Sequence, residues 1–162
     1  MSSSSSKITV GIIGFGAFGC LLANHLSPHV SLCIRDTARA VARLESGAEY
    51  PCASLEEMAG CEYIVLAVPV SEIGRVSRDL APLLRAGTTV VDVGSVKVAP
   101  TEAMRAELPA HVGIVGTHPL FGPQSARTGL RGLKIAICPV RGTGHRHIAA
   151  FLKSVFRLRT II

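Results

Sequence analysis

Two short stretches of this 162-residue chain carry side chains suited to moving a proton. "DVGSVK", Asp92 to Lys97, sets a serine and a lysine after one apolar run, and "GTHPLFGPQSA", Gly116 to Ala126, sets His118 after the next. A neutral imidazole accepts a proton from a hydroxyl near pH 7, while hydride leaves the carbon that bears it. A serine hydroxyl nearby orients that substrate hydroxyl. Ser95 and His118 are therefore the candidate catalytic residues, and Lys97 either orders its loop or lies near the ligands.

Such residues must be positioned by rigid elements. Short β-branched runs alternate with longer stretches of helical period, the pattern of an α/β domain with a Rossmann-type, doubly wound and mostly parallel sheet. Strands are expected at 7–13, 30–34, 63–68, 88–93, 111–116, 133–138 and 157–162. Their nearly continuous apolar character implies cover on both faces. Helices are expected from Ala17 to about Leu26, from Thr37 to Leu44, from Ser54 with capping-box spacing to Glu57, and after Ser71 and Gly144. In such sheets ligands gather beyond the carboxyl ends of the strands, which is where both proton-handling stretches fall.

The first strand runs directly into "GFGAFG". Gly14, Gly16 and Gly19 satisfy G-x-G-x-x-G at a strand-to-helix junction, and Phe15, Ala17 and Phe18 complete the turn. The first glycine permits the turn, the second lets a pyrophosphate approach the backbone, and the third lets helix and strand pack closely. Free N–H groups at the helix start then bind phosphate. The second strand ends "CIRDTAR", with Arg35 where an acid is expected and Asp36 one position later. Arg35 suits the 2′-phosphate of NADP and favours that cofactor. Asp36 keeps NAD open, or caps the helix expected at Thr37. Val68 and Pro69, after the third strand, fall on the nicotinamide side of the crevice or form a plain turn.

The combination "GIIGFGAFG", "DVGSVK" and "GTHPLFGPQSA" resembles the prephenate and arogenate dehydrogenase family of tyrosine biosynthesis, in order and spacing across nearly the whole chain. The resemblance implies NAD(P)-dependent oxidative decarboxylation of prephenate or arogenate, with His118 as base and Ser95 near substrate hydroxyl and nicotinamide. Gln124 departs from the acidic residue many members carry. The family also continues into a helical domain that dimerises and grips the substrate carboxylate. At the length given, residues 7–162 are expected to lack that domain, so a homodimer is expected only if it is supplied. Two alternatives remain: a non-catalytic dinucleotide-binding module or partner subunit, and another reductase with the same cofactor fold, such as a β-hydroxyacid or pyrroline carboxylate enzyme.

Composition narrows the classes. With 48% hydrophobic and 17% charged residues, residues 7–162 read as one globular domain behind a disordered Ser-rich tail at 1–6. No apolar run approaches the roughly 20 residues of a membrane helix, and no signal peptide is recognisable, which points to the cytoplasm, or a plastid in a photosynthetic source. The net charge of +6 is scattered and aromatics make up only 4%, which disfavours nucleic acid and suits small anions. Five cysteines without a C-x-x-C pair read as reduced core thiols. His145 and His147 diverge by about 200° on a helix and hold no metal, while His25, His29 and His111 read as structural or exposed.

Overall fold

A computed structural model describes residues 7–162; the Ser2–Ser6 run lies outside the described residues. Seven strands form one sheet in the order β2-β1-β5-β6-β7-β8-β9. These are β1 (Thr9–Ile13), β2 (Ser31–Arg35), β5 (Tyr63–Leu66), β6 (Thr89–Asp92), β7 (Gly113–Pro119), β8 (Lys134–Arg141) and β9 (Arg159–Ile161). All neighbours are parallel except β7 and β8, which run antiparallel. The chain reverses its direction of winding at β1, between β2 and β5, so the crevice of a doubly wound sheet opens at the end of β1.

Two apolar cores flank the sheet. Helices α1 (Ala17–Leu26) and α5 (Gly144–Phe156) cover one face, with Val10, Ile12, Ile34, Val65, Val91, Val115 and Ile137 beneath them. Helices α2 (Leu55–Ala59), α3 (Val70–Leu80) and α4 (Val98–Glu107) cover the other, over Ile64, Leu66, Val90 and Ile114. Alternate residues of each central strand serve opposite cores, which is why these strands carry almost no polar side chain. Helix α2 starts with the expected capping box: the Ser54 hydroxyl accepts the Glu57 N–H at 3.2 Å, and Glu57 accepts the Ser54 N–H at 2.7 Å.

Two elements differ from the expectation. Thr37–Leu44 is not a helix: Val41–Arg43 and Glu49–Pro51 form an antiparallel hairpin, β3 and β4. The residues 41 to 44 alternate exposed, buried, exposed, buried, with Ala42 and Leu44 against the core, a period of two that Ala and Arg propensity conceals. Gly47, at φ +88°, turns the chain, and the cross-strand Arg43–Glu49 ion pair adds to the register. Asp36 therefore caps no helix. The second difference is α4, which the expected elements omitted. Its Pro100 occupies the first helical turn, where the missing N–H is not needed.

The cysteines are free, yet only Cys61 is buried; Cys20, Cys33 and Cys52 are half-buried at the margins of the two cores, and Cys138 is half-buried outside them.

Candidate active site

The glycine turn is dictated by contacts. Gly14 has φ +99°, and its N–H donates to the Arg35 carbonyl at 2.8 Å, tying β1 to β2. A Cβ on Gly14 would lie 2.3 Å from the Ala67 carbonyl oxygen, and one on Gly19 would lie 2.0 Å from that of Gly14. Helix α1 can approach the sheet only without those atoms. Gly16 is different: a Cβ there meets nothing within 4 Å, so its small size preserves open space in front of the helix. Gly16 caps α1 without any side-chain hydrogen bond, and the first-turn N–H groups face outward, a fit for a pyrophosphate.

A cleft of about 290 Å³ extends from this turn, lined by Gly14, Gly16, Arg35, Asp36, Val68 and Pro69 among others. Arg35 and Asp36 point in different directions. Arg35 lines the cleft with one arm of its guanidinium donating to the Ala53 carbonyl at 2.9 Å. Asp36 turns back onto the turn, where its carboxylate accepts the Phe15 N–H at 2.8 Å and the Ala38 N–H at 2.7 Å. Burial opposes its charge, but these two N–H donors and the nearby Arg39 outweigh it and hold the carboxyl below its usual range. Arg39, which the sequence did not single out, lies 5.1 Å over the buried Phe15 ring.

The candidate proton-handling residues come from adjacent strand ends. Asp92 ends β6 in register with Gly116 of β7, so the loop with Ser95 and the strand end with His118 leave the same edge of the sheet. Ser95 is exposed and His118 half-buried. Asp92, wholly buried, organises this edge: it pairs with Lys97, accepts the Gly94 N–H at 2.8 Å, and offers its carbonyl to the Thr117 hydroxyl at 2.9 Å. Lys97 thus orders the loop. The loop after His118 folds over its own small core of Ala126, Leu130, Ile135 and Leu158. From it the Phe121 ring reaches within 6.3 Å of the Phe18 ring on α1. The glycine turn, the serine loop and the histidine loop therefore share one edge.

Neither Asp92 nor Phe121 was singled out from the sequence; an acid at a strand end five residues before a lysine was the only signal for the former. Among the described residues no group of three or more His, Cys, Asp or Glu side chains could hold a metal, and no helix is long and apolar enough to cross a membrane.

Fold and turn together define a Rossmann-type dinucleotide-binding domain. Residues 19–159 match the family described as prephenate dehydrogenase, nucleotide-binding domain, and the chain belongs to that family. It is 30% identical over 141 residues to a chloroplastic arogenate dehydrogenase of Arabidopsis thaliana, covering 84% of this chain and 22% of that one. It is also 34% identical over 174 residues to a glycerol-3-phosphate dehydrogenase [NAD(P)+] of Azorhizobium caulinodans, covering 92% and 52%. The fold superimposes on a prephenate dehydrogenase from Aquifex aeolicus with a TM-score of 0.73 at 19% identity, over 94% of this chain and 60% of that chain. The chain thus spans about half or less of the length of these curated relatives.

Proposed function

We propose that this chain is the cofactor-binding half of an NAD(P)-dependent dehydrogenase that oxidises and decarboxylates prephenate or arogenate. The observation that carries the reading is the meeting at one sheet edge of the glycine turn, the Ser95 loop and the His118 loop, through the Asp92–Gly116 register and the Phe18–Phe121 contact. When bound, the nicotinamide supplies the hydride acceptor. The chain's own residues do the rest. The α1 N-terminus holds the pyrophosphate, Ser95 orients the substrate hydroxyl, and His118 takes its proton as the ring carbon is oxidised. Val68 and Pro69 border the nicotinamide side of the cleft.

Asp36 supports NAD over NADP, reversing the order that the position of Arg35 suggested. An ionised carboxylate beside the glycine turn accepts hydrogen bonds from ribose hydroxyls and repels a 2′-phosphate, while one arm of Arg35 is held by Ala53.

Calorimetric titration of the chain with NAD and with NADP tests the cofactor part: NAD binds more tightly. In the enzyme completed by its substrate-binding region, His118→Asn lowers turnover by about 10²–10⁴-fold, the usual contribution of a general base, with cofactor affinity unchanged. Turnover like that of the parent enzyme removes His118 from the mechanism, and no binding of either dinucleotide removes the dehydrogenase reading from this chain.

A further inference from the structure

The charge of the chain is strongly polarised. All 11 carboxylate side chains lie at or before Glu107, whereas eight of the 17 Lys and Arg residues follow it, with no acid among them. Four of these cations stand on two neighbouring turns. Arg131 and Lys134 flank the turn into β8, and Arg157 and Arg159 flank the turn into β9. Backbone hydrogen bonds lock the two turns together: Gly132 N–H to the Arg157 carbonyl at 3.0 Å, and Arg159 N–H to the Leu133 carbonyl at 2.8 Å. Lys134 and Arg159 are direct register partners, a like-charge pairing that is unfavourable unless an anion accompanies it. All four side chains are exposed, and among the described residues none is joined to another side chain by an ion pair or hydrogen bond. Arg157 holds a left-handed conformation at φ +55°, where glycine is the unstrained choice at a helix end.

The antiparallel pairing puts this cluster beside His118. His118 is the partner of Ala136, and the Leu120 N–H donates to the Lys134 carbonyl at 2.9 Å, so β8 begins where β7 ends. Residues two apart on a strand share a face, and directly paired residues project to the same side. Lys134 and Arg159 therefore project from the face that carries His118, with the Lys134 Cα about 8 Å from that of His118 by strand geometry. No helix of the described residues covers this face over β9, since α5 packs on the other one.

We propose that Lys134 and Arg159, flanked by Arg131 and Arg157, form a rim that binds a carboxylate of a dicarboxylic acid whose hydroxyl is presented to His118. This rests on the reading of His118 as the base, and adds that the domain holding the base also grips the anion. The fit is chemical: two adjacent cations with open coordination bind a carboxylate by charge-assisted hydrogen bonds and draw anions toward the edge.

The test is calorimetric titration of the NAD-saturated chain with terephthalate, a rigid dicarboxylate, and with benzoate. Terephthalate binds, and benzoate binds more weakly. Combining Lys134→Gln with Arg159→Gln weakens terephthalate by about tenfold or more, while Lys153→Gln, on the outside of α5, leaves it within twofold. Dinucleotide affinity is the same in all variants. Failure of the NAD-loaded chain to bind terephthalate, or equal affinity in the double variant, overturns the rim while leaving the dinucleotide site standing. Preferential binding of a poly-glutamate peptide over terephthalate also overturns it, since the patch would then serve an acidic protein segment.

Discussion

Changing Gly19 and Gly16 separately to alanine divides the two roles of the glycine turn. At Gly19 the new Cβ would sit 2.0 Å from the Gly14 carbonyl oxygen, more than 1 Å inside any normal contact, and that oxygen belongs to backbone already tied to Arg35 and pressed on Ala67. Helix α1 must move. Overpacking of this kind costs about 1–3 kcal/mol, and the rigid neighbour places Gly19→Ala near the upper end. The gain in helix propensity from glycine to alanine returns up to about 1 kcal/mol. The net loss is about 2–3 kcal/mol, a fall in Tm of roughly 4–12 °C for a domain of this size. At Gly16 the Cβ meets no atom and φ is −75°, so Gly16→Ala changes stability by no more than about 0.5 kcal/mol. Yet that methyl projects where the pyrophosphate must approach, and dinucleotide affinity falls by about tenfold or more. Urea unfolding of both variants, paired with titration by NAD, separates stability from binding. A Gly16→Ala chain that binds NAD as tightly as the parent would show that the turn is scaffold and no cofactor site.

Two further outcomes follow from buried groups. Lys97→Met leaves the wholly buried Asp92 with the Gly94 N–H as its remaining side-chain partner, and destabilises the chain by about 3–5 kcal/mol in urea unfolding; adding Asp92→Asn recovers part of this, and an unchanged midpoint in the single variant refutes the role given to the pair. His25 is held below its usual range by burial, which the nearby Glu45 only partly offsets, and it packs edge-on to Phe156. Because the folded pKa lies below the unfolded value of 6.5, the neutral ring's contribution is complete above about pH 6.5 and is lost as the pH falls through the folded value. Unfolding curves from pH 7.5 to pH 5 show this slope, and His25→Gln reduces it.

What was legible in the sequence had local causes. The glycine turn, the capping box at Ser54 and the central strands each depend on neighbours within a few residues, so their signatures sit side by side in the chain. The hairpin at Val41–Pro51 was hidden because its alternation lasts only four residues and uses Ala and Arg, which also suit helices. Helix α4 was hidden by Pro100, whose meaning depends on whether it stands in the first turn or beyond it. The orientations of Arg35 and Asp36 depend on where β2 ends, and a shift of one residue exchanges their faces. Asp92 and Phe121 act through partners on other elements; the Phe18–Phe121 contact spans over 100 residues of chain, and no local pattern announces it.

The two halves of the site rest on different physics, which explains why the chain resembles dehydrogenases of unlike name. The cofactor turn is steric: Gly14 and Gly19 are required by carbonyl oxygens of the chain itself, and any protein feeding a parallel strand into a helix around a pyrophosphate meets the same restriction. It therefore carries no information about what is oxidised, and a 34% identical glycerol-3-phosphate dehydrogenase can share it. The substrate side is electrostatic. A buried Asp92–Lys97 pair holds the serine loop, a histidine stands at the next strand end, and unpaired cations gather on the turns beside it. These charges lie along the ends of β6, β7, β8 and β9. On the proposed reading, substitutions that change which acid is oxidised belong on that edge, and those that change which dinucleotide is used belong at Arg35, Asp36 and Arg39.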